Sequence, residues 1–171
     1  MPEENNINHL IDECRQIEDD CLYTAEAHYI IADVAGKVSF WVKLIPAFAA
    51  AASGAALLSG LPNWIAWFSV IAGVAFALQS IMNPDKKKDE HSQAGKSYTA
   101  LKHESRSLYQ TFYKEMDRAS FSTTVKILRE RYNMIAKMTP QTTVKAFEEG
   151  RKRIKAGRHT PDFKEQESES E

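Results

Sequence analysis

The chain has 171 residues, with 22 Lys and Arg against 23 Asp and Glu and a formal net charge of −1; its mean hydropathy of −0.42 is that of an ordinary soluble domain. The average misleads, because residues 44–84 are 41 consecutive positions without Asp, Glu, Lys, Arg or His, and the 45 acidic and basic residues crowd into the other 130. Two cysteines without a CxxC pair exclude a zinc ribbon or a thioredoxin-like site, and seven glycines without a GxG exclude a Walker-type or dinucleotide-type phosphate loop.

Residues 1–37 form an acidic segment, with nine acids against Arg15 and Lys37. The opening Pro2-Glu3-Glu4 lacks the basic start of a signal peptide. Ile7, Leu10, Cys14, Ile17, Cys21, Thr24, His28 and Ile31 recur at alternating three- and four-residue steps, which predicts one long helix with a coiled-coil-like seam. Cys14 and Cys21 are two turns apart on that seam, roughly 10 Å along the axis and too far for a disulfide, so they read as small core residues. The helix is expected to run almost directly into the apolar stretch.

Residues 38–84 read as two transmembrane spans, about 40–60 and 64–82, joined by turn chemistry at 59–63. Two apolar runs joined this tightly are antiparallel. Lys37 and Lys43 flank the first span and Lys86, Lys87 and Lys88 follow the second, which places both ends in the cytoplasm. Phe40 and Trp41 suit the inner interface, and Trp64 and Trp67 the outer one. Lys43 is one turn into the span, where it either snorkels to the headgroups or faces a pore. Pro46 is expected in the same first turns, where a missing N–H costs least.

The first span is rich in small residues. Ala50 with Gly54, and Ala51 with Ala55, have small-xxx-small spacing, as does Gly73 with Ala77 in the second span. Such faces pack either within one hairpin or between copies in a homo-oligomer, and both can hold. Ser53, Ser69 and Gln79 are the polar residues at depth; they line a weakly selective pore or bond to backbone. No carboxylate or histidine lies in the bilayer stretch, which argues against a proton relay or a coupled transporter.

Residues 85–160 read as basic cytoplasmic helices, with a net +9 over 85–161. One helix is expected from about Glu90 to Ala119, with Tyr98, Leu101, Ser105, Leu108 and Phe112 inward and Tyr109, Tyr113 and Met116 widening that face. Ser120 is the expected break and cap. Phe121, Val125, Leu128, Tyr132 and Ile135 mark the next helix, ended by Thr139-Pro140, and a last helix spans about Thr142 to Ala156. Residues 161–171 are acidic, Ser-rich and expected to be disordered. The acidic N-terminal helix is expected to pack on the basic ones, within or between protomers. Anionic lipid headgroups are a second outlet for the basic charge. Nucleic acid is not an expected partner, given the acidic arm. The histidines His9, His28, His91, His103 and His159 form no metal-like spacing, and no nucleophile elbow occurs, so no enzyme, metal or cofactor is expected.

The layout of a long helix carrying Tyr23-Thr24-Ala25-Glu26-Ala27-His28, two spans with a short outer turn, then His91-Ser92-Gln93-Ala94, Tyr98, Leu101 and Arg106 resembles the SLATT domain, the SMODS- and SLOG-associating two-transmembrane effector domain. The likeness covers most of residues 5–140. It implies an all-α membrane protein of the bacterial inner membrane, with a two-helix transmembrane hairpin, a long cytoplasmic N-terminal helix and a C-terminal helical bundle. It also implies an effector of antiphage defence that oligomerises and forms a pore or disrupts the membrane. The implied trigger is a cyclic or oligonucleotide second messenger or a sensor protein. No added sensor domain is expected here, a departure from the pattern, so a ligand is expected on the cytoplasmic helices or on a partner chain. His28, Lys86, Lys87, Lys88, His91, Tyr98 and Arg106 are the regulatory candidates. The rival readings are a non-conducting anchor that recruits a cytoplasmic partner and a membrane-shaping wedge.

Overall fold

The computed structural model describes residues 5–59 and 67–157. Among the described residues the protein is all helical, without strands: α1 (Asn5–Leu58), α2 (Trp67–Met82), α3 (Pro84–Gln110), α4 (Arg118–Met138) and α5 (Val144–Lys155), with a 3-10 turn at Phe112–Glu115 between α3 and α4. Most of the expected outer turn, Trp64 and the acidic tail lie outside the described residues.

The acidic segment and the first apolar run form one uninterrupted helix of 54 residues. Pro46 is therefore inside a helix and not in its first turns, and the Val42 carbonyl loses the amide that would normally reach it. The helices group into two compact units, one from residues 5–30 and 92–157 and the other from Ile31–His91.

The first unit has the larger apolar core. Leu10, Cys14, Ile17 and Cys21 of α1 meet Tyr98, Leu101 and Leu108 of α3 and Phe121, Val125 and Leu128 of α4. The three-four spacing puts these residues on one stripe of each helix, and burying each large side chain contributes about 1.5–3 kcal/mol. The expected α1 seam points inward, with Thr24 half-buried and His28 and Ile31 buried. Burial pushes the thiol of Cys14 up to about 11 and that of Cys21 to about 12, so both are inert free thiols. Ser105, also on the inner face, donates to the Cys14 carbonyl at 2.8 Å. Phe112 is exposed, contrary to expectation, because α3 ends at Gln110 and the 3-10 turn rotates the chain off the 3.6-residue stripe. α5 closes against α1 through Gly150: a Cβ there would stand 3.2 Å from Glu26 Cγ.

Two helix starts differ from expectation. α3 begins at Pro84, not near Glu90, and Asn83 precedes it with a left-handed φ of 38°. Asn83 Oδ1 accepts from the Lys86 amide at 3.2 Å, so Asn caps and Pro occupies the first helical position, both favourable chemistry. α4 is capped by Asp117 rather than Ser120: its Oδ1 accepts from the amides of Ala119 at 2.9 Å and Ser120 at 3.0 Å. A bond from the Ser120 hydroxyl, and then these backbone bonds, hold the Asp117 carboxyl below the usual carboxylate range.

The second unit exposes its large apolar side chains, among them Trp41, Ile45 and Phe48 of α1 and Trp67, Ile71 and Phe76 of α2. Between Val34 and Met82 its buried described positions are Ala35, Ser39, Pro46, Ser53, Ala56 and Ala72, none of them a large apolar side chain; Ile31 and His91 are buried at its ends. Over Ile7–Ala56, α1 is long and apolar enough to cross a membrane, and only 17% of its most apolar window is buried. The 16 described residues of α2 rise about 24 Å, against about 30 Å of hydrocarbon.

Candidate functional site

Two constellations carry the candidate residues, one in each unit. In the Ile31–His91 unit, Lys43 Nζ lies 2.6 Å from Asp85 Oδ2, and the Ser39 hydroxyl donates to Asp85 Oδ1. The Lys43 bond, then that from Ser39, holds the Asp85 carboxyl below the usual carboxylate range. The clasp joins the start of the first apolar run to the residue just beyond the second, so the chain that leaves it along α1 returns to it along α2. Lys43 thus pairs with Asp85, and both side chains stay about half exposed.

The small residues of α1 divide between two faces. Ser53 and Ala56 are buried, and the Ser53 hydroxyl donates back to the Ala49 carbonyl at 2.8 Å. Ala50, Ala51, Gly54 and Ala55 are exposed, and a Cβ at Gly54 would meet nothing within 4 Å. Gly73 on α2 is equally open. Among the described residues, therefore, no packing uses the close approach that these glycines permit. The side chains of Ser69 and Gln79 lie outside the described residues.

Of the lysine triplet, Lys86 pairs with Glu90 at 3.8 Å, and the Lys88 side chain would be 3.4 Å from a Cβ on Gly36. Lys87 is exposed, and its charge adds to burial in pulling the pKa of buried His91 down.

In the other unit, Glu18 is 6% exposed. It accepts from Arg106 Nε at 2.6 Å and from the Tyr109 hydroxyl at 2.7 Å. Nearby, Arg129 Nε reaches Glu13 at 2.5 Å and its Nη1 lies 3.7 Å from Asp20, while the guanidinium stacks 5.3 Å from the Tyr132 centroid. Arg153 Nη1 stands 3.5 Å from Glu26. Acidic α1 thus docks on basic α3, α4 and α5 within one protomer. His28 is buried with its ring stacked 5.7 Å from that of Tyr98, and the Tyr98 hydroxyl is 3.4 Å from Thr139 Oγ1.

The regulatory candidates divide between the two units. Half-exposed Arg106 and buried His28 and Tyr98 belong to one unit, and exposed Lys86, Lys87 and Lys88 and buried His91 to the other. Residue-by-residue reading missed Glu18, Tyr109, Arg129 and Asp85. The acidic and basic net charges signalled that such pairs exist, but not which ones. Among the described residues no group of three His, Cys, Asp or Glu is placed to hold a metal ion. No family model matches the chain, and neither does a curated protein or a solved structure.

Proposed function

We propose that this chain is a two-span membrane effector of prokaryotic antiphage defence. In this reading both termini are cytoplasmic, copies assemble through the open small-residue face of α1, and the assembly forms a pore or disrupts the bacterial inner membrane. A nucleotide signal or a sensor partner triggers it by shifting the acidic helix against the basic ones, a two-state element. The resemblance to the SLATT domain supplies the biological setting. The observation that carries the membrane part is the inversion between Val34 and Met82, where the large apolar side chains are outside and the buried ones are small. In water those side chains would form an apolar surface far beyond what soluble monomers tolerate; in lipid they are solvated, and close helix packing comes from small residues.

A second reading, a non-conducting anchor that recruits a cytoplasmic partner, is favoured by two contacts. Ser53 commits its hydroxyl to Ala49 and Lys43 its charge to Asp85, so neither is offered to a lumen in this conformation.

Dye and ion leakage from liposomes carrying the purified protein separates the two, measured with and without cyclic and oligonucleotide messengers. The effector reading expects triggered leakage that is lost in Ala51→Leu/Gly54→Leu while insertion persists. An anchor gives silence in every condition and tolerates the double substitution. Tubulation without leakage would point to a membrane-shaping wedge. A protein that stays dispersed and compact without detergent would sink all three.

A further inference from the structure

A cleft of about 350 Å³ opens between α1 and α3 within the first unit. Leu22, Ala25 and Tyr29 give it an apolar wall, and Lys102 and His103 a basic one. The end of the cleft is built rather than incidental. A Cβ at Gly95 would stand 2.8 Å from Tyr29 Cε1, so only glycine lets the ring lie against α3. Thr99 Oγ1 gives its proton to the Gly95 carbonyl at 2.8 Å, so across their 3.2 Å separation the Tyr29 hydroxyl donates to Thr99.

The charges around the cleft do not cancel. Glu18 is taken up by Arg106 and Tyr109, and Glu26, which also lines the cleft, lies beside Arg153. Lys102 has no ion-pair partner among the described residues. Burial, then the Arg106 cation, pulls its pKa down; burial, then Lys102 and Arg106, does the same for His103. Both groups are held in a setting that an anion would relieve.

We propose that this cleft binds a small phosphate monoester, its phosphate on Lys102 and His103 and its apolar part against Leu22 and Tyr29. The volume is at the low end of the roughly 300–1,000 Å³ of small-molecule sites. It suits one nucleotide or a phosphorylated glycerol head and cannot enclose a whole oligonucleotide. The inference deepens the triggered-effector reading and rests on it only for the consequence of binding, because occupancy is measured without any leakage assay.

The test is calorimetric titration of the full chain in detergent micelles with adenosine monophosphate and with glycerol 3-phosphate. Lys102→Gln should weaken binding at least about tenfold, the loss of one charge-assisted contact. Lys102→Arg should retain most of it, and Lys96→Gln, on an exposed position of the same helix, should stay within about twofold. Tighter binding of the adenosine monophosphate assigns the site to nucleotides. Equal or tighter binding of glycerol 3-phosphate assigns it to lipid-type headgroups. If neither probe binds the unaltered protein, or if Lys102→Gln binds as well as the parent with the same circular dichroism, the proposal is overturned. Binding with no leakage under any condition would instead defeat the effector reading and leave the site standing.

Discussion

Glu18 is a carboxylate taken out of water, and its position depends on the two groups that satisfy it. Arg106 supplies charge and Tyr109 a further donor, so deleting Arg106 strands a charge whose desolvation is no longer offset. Arg106→Leu should therefore cost roughly 2–3 kcal/mol in denaturant unfolding, while Glu18→Leu/Arg106→Leu should recover most of that loss. Equal losses in the single and double variants would show that packing, not the pair, matters at this point. Arg106 was legible as a residue of interest from the SLATT-like pattern around it, yet its chemistry was not. Its partner is 88 positions away, and no local spacing connects the two.

On the scale of helices, glycine sorts the packed faces from the open ones. Gly95 accepts a tyrosine ring at a distance no Cβ would allow, so Gly95→Ala should displace Tyr29, break its bond to Thr99 and cost about 1–3 kcal/mol. Gly54→Ala and Gly73→Ala meet open space and should leave the stability of the isolated chain unchanged or improved, since alanine is the better helix former. Thermal melts of the three variants in micelles check the contrast; a loss at Gly54 as large as that at Gly95 would mean that the α1 face is packed after all. Periodicity marked the inner residues of α1 and α4 well, because a 3.6-residue repeat is a local property of the chain. Boundaries were harder to read. Asn83-Pro84 and Asp117 carry clear start signals, but the first was hidden behind a lysine run and the second competed with Ser120, which is itself a good capping residue.

For the whole molecule, the charge asymmetry between the N-terminal and C-terminal segments becomes a set of cross-helix pairs, from Glu13 and Glu18 to Glu26. Protonation tests how tightly the parts hold. His91 is buried beside Lys87 and Glu90, and its folded pKa lies below the ordinary 6.5, burial first and the Lys87 cation second. The unfolded chain then binds the proton more readily, so stability contributed by neutral His91 is complete above about pH 6.5 and is lost as pH falls below it. Melting curves at pH 7.5 and 5.5 should show that loss, and His91→Gln should flatten it. An unchanged slope in the variant would assign the effect to other groups, His103 foremost, whose pKa is lowered in the same direction.

Composition and periodicity alone determined that this chain is helical, that one stretch is apolar and free of charge, and that its acidic and basic segments are attracted. Those properties are written in neighbouring residues, through side-chain spacing and the absence of charge over 41 positions. The tertiary structure decided the pairings: Lys43 with Asp85, Glu18 with Arg106, Tyr29 against Gly95, and the cleft in which Lys102 has no counter-ion among the described residues. Each joins residues far apart along the chain, and only the packing of helices brings their atoms to bonding distance.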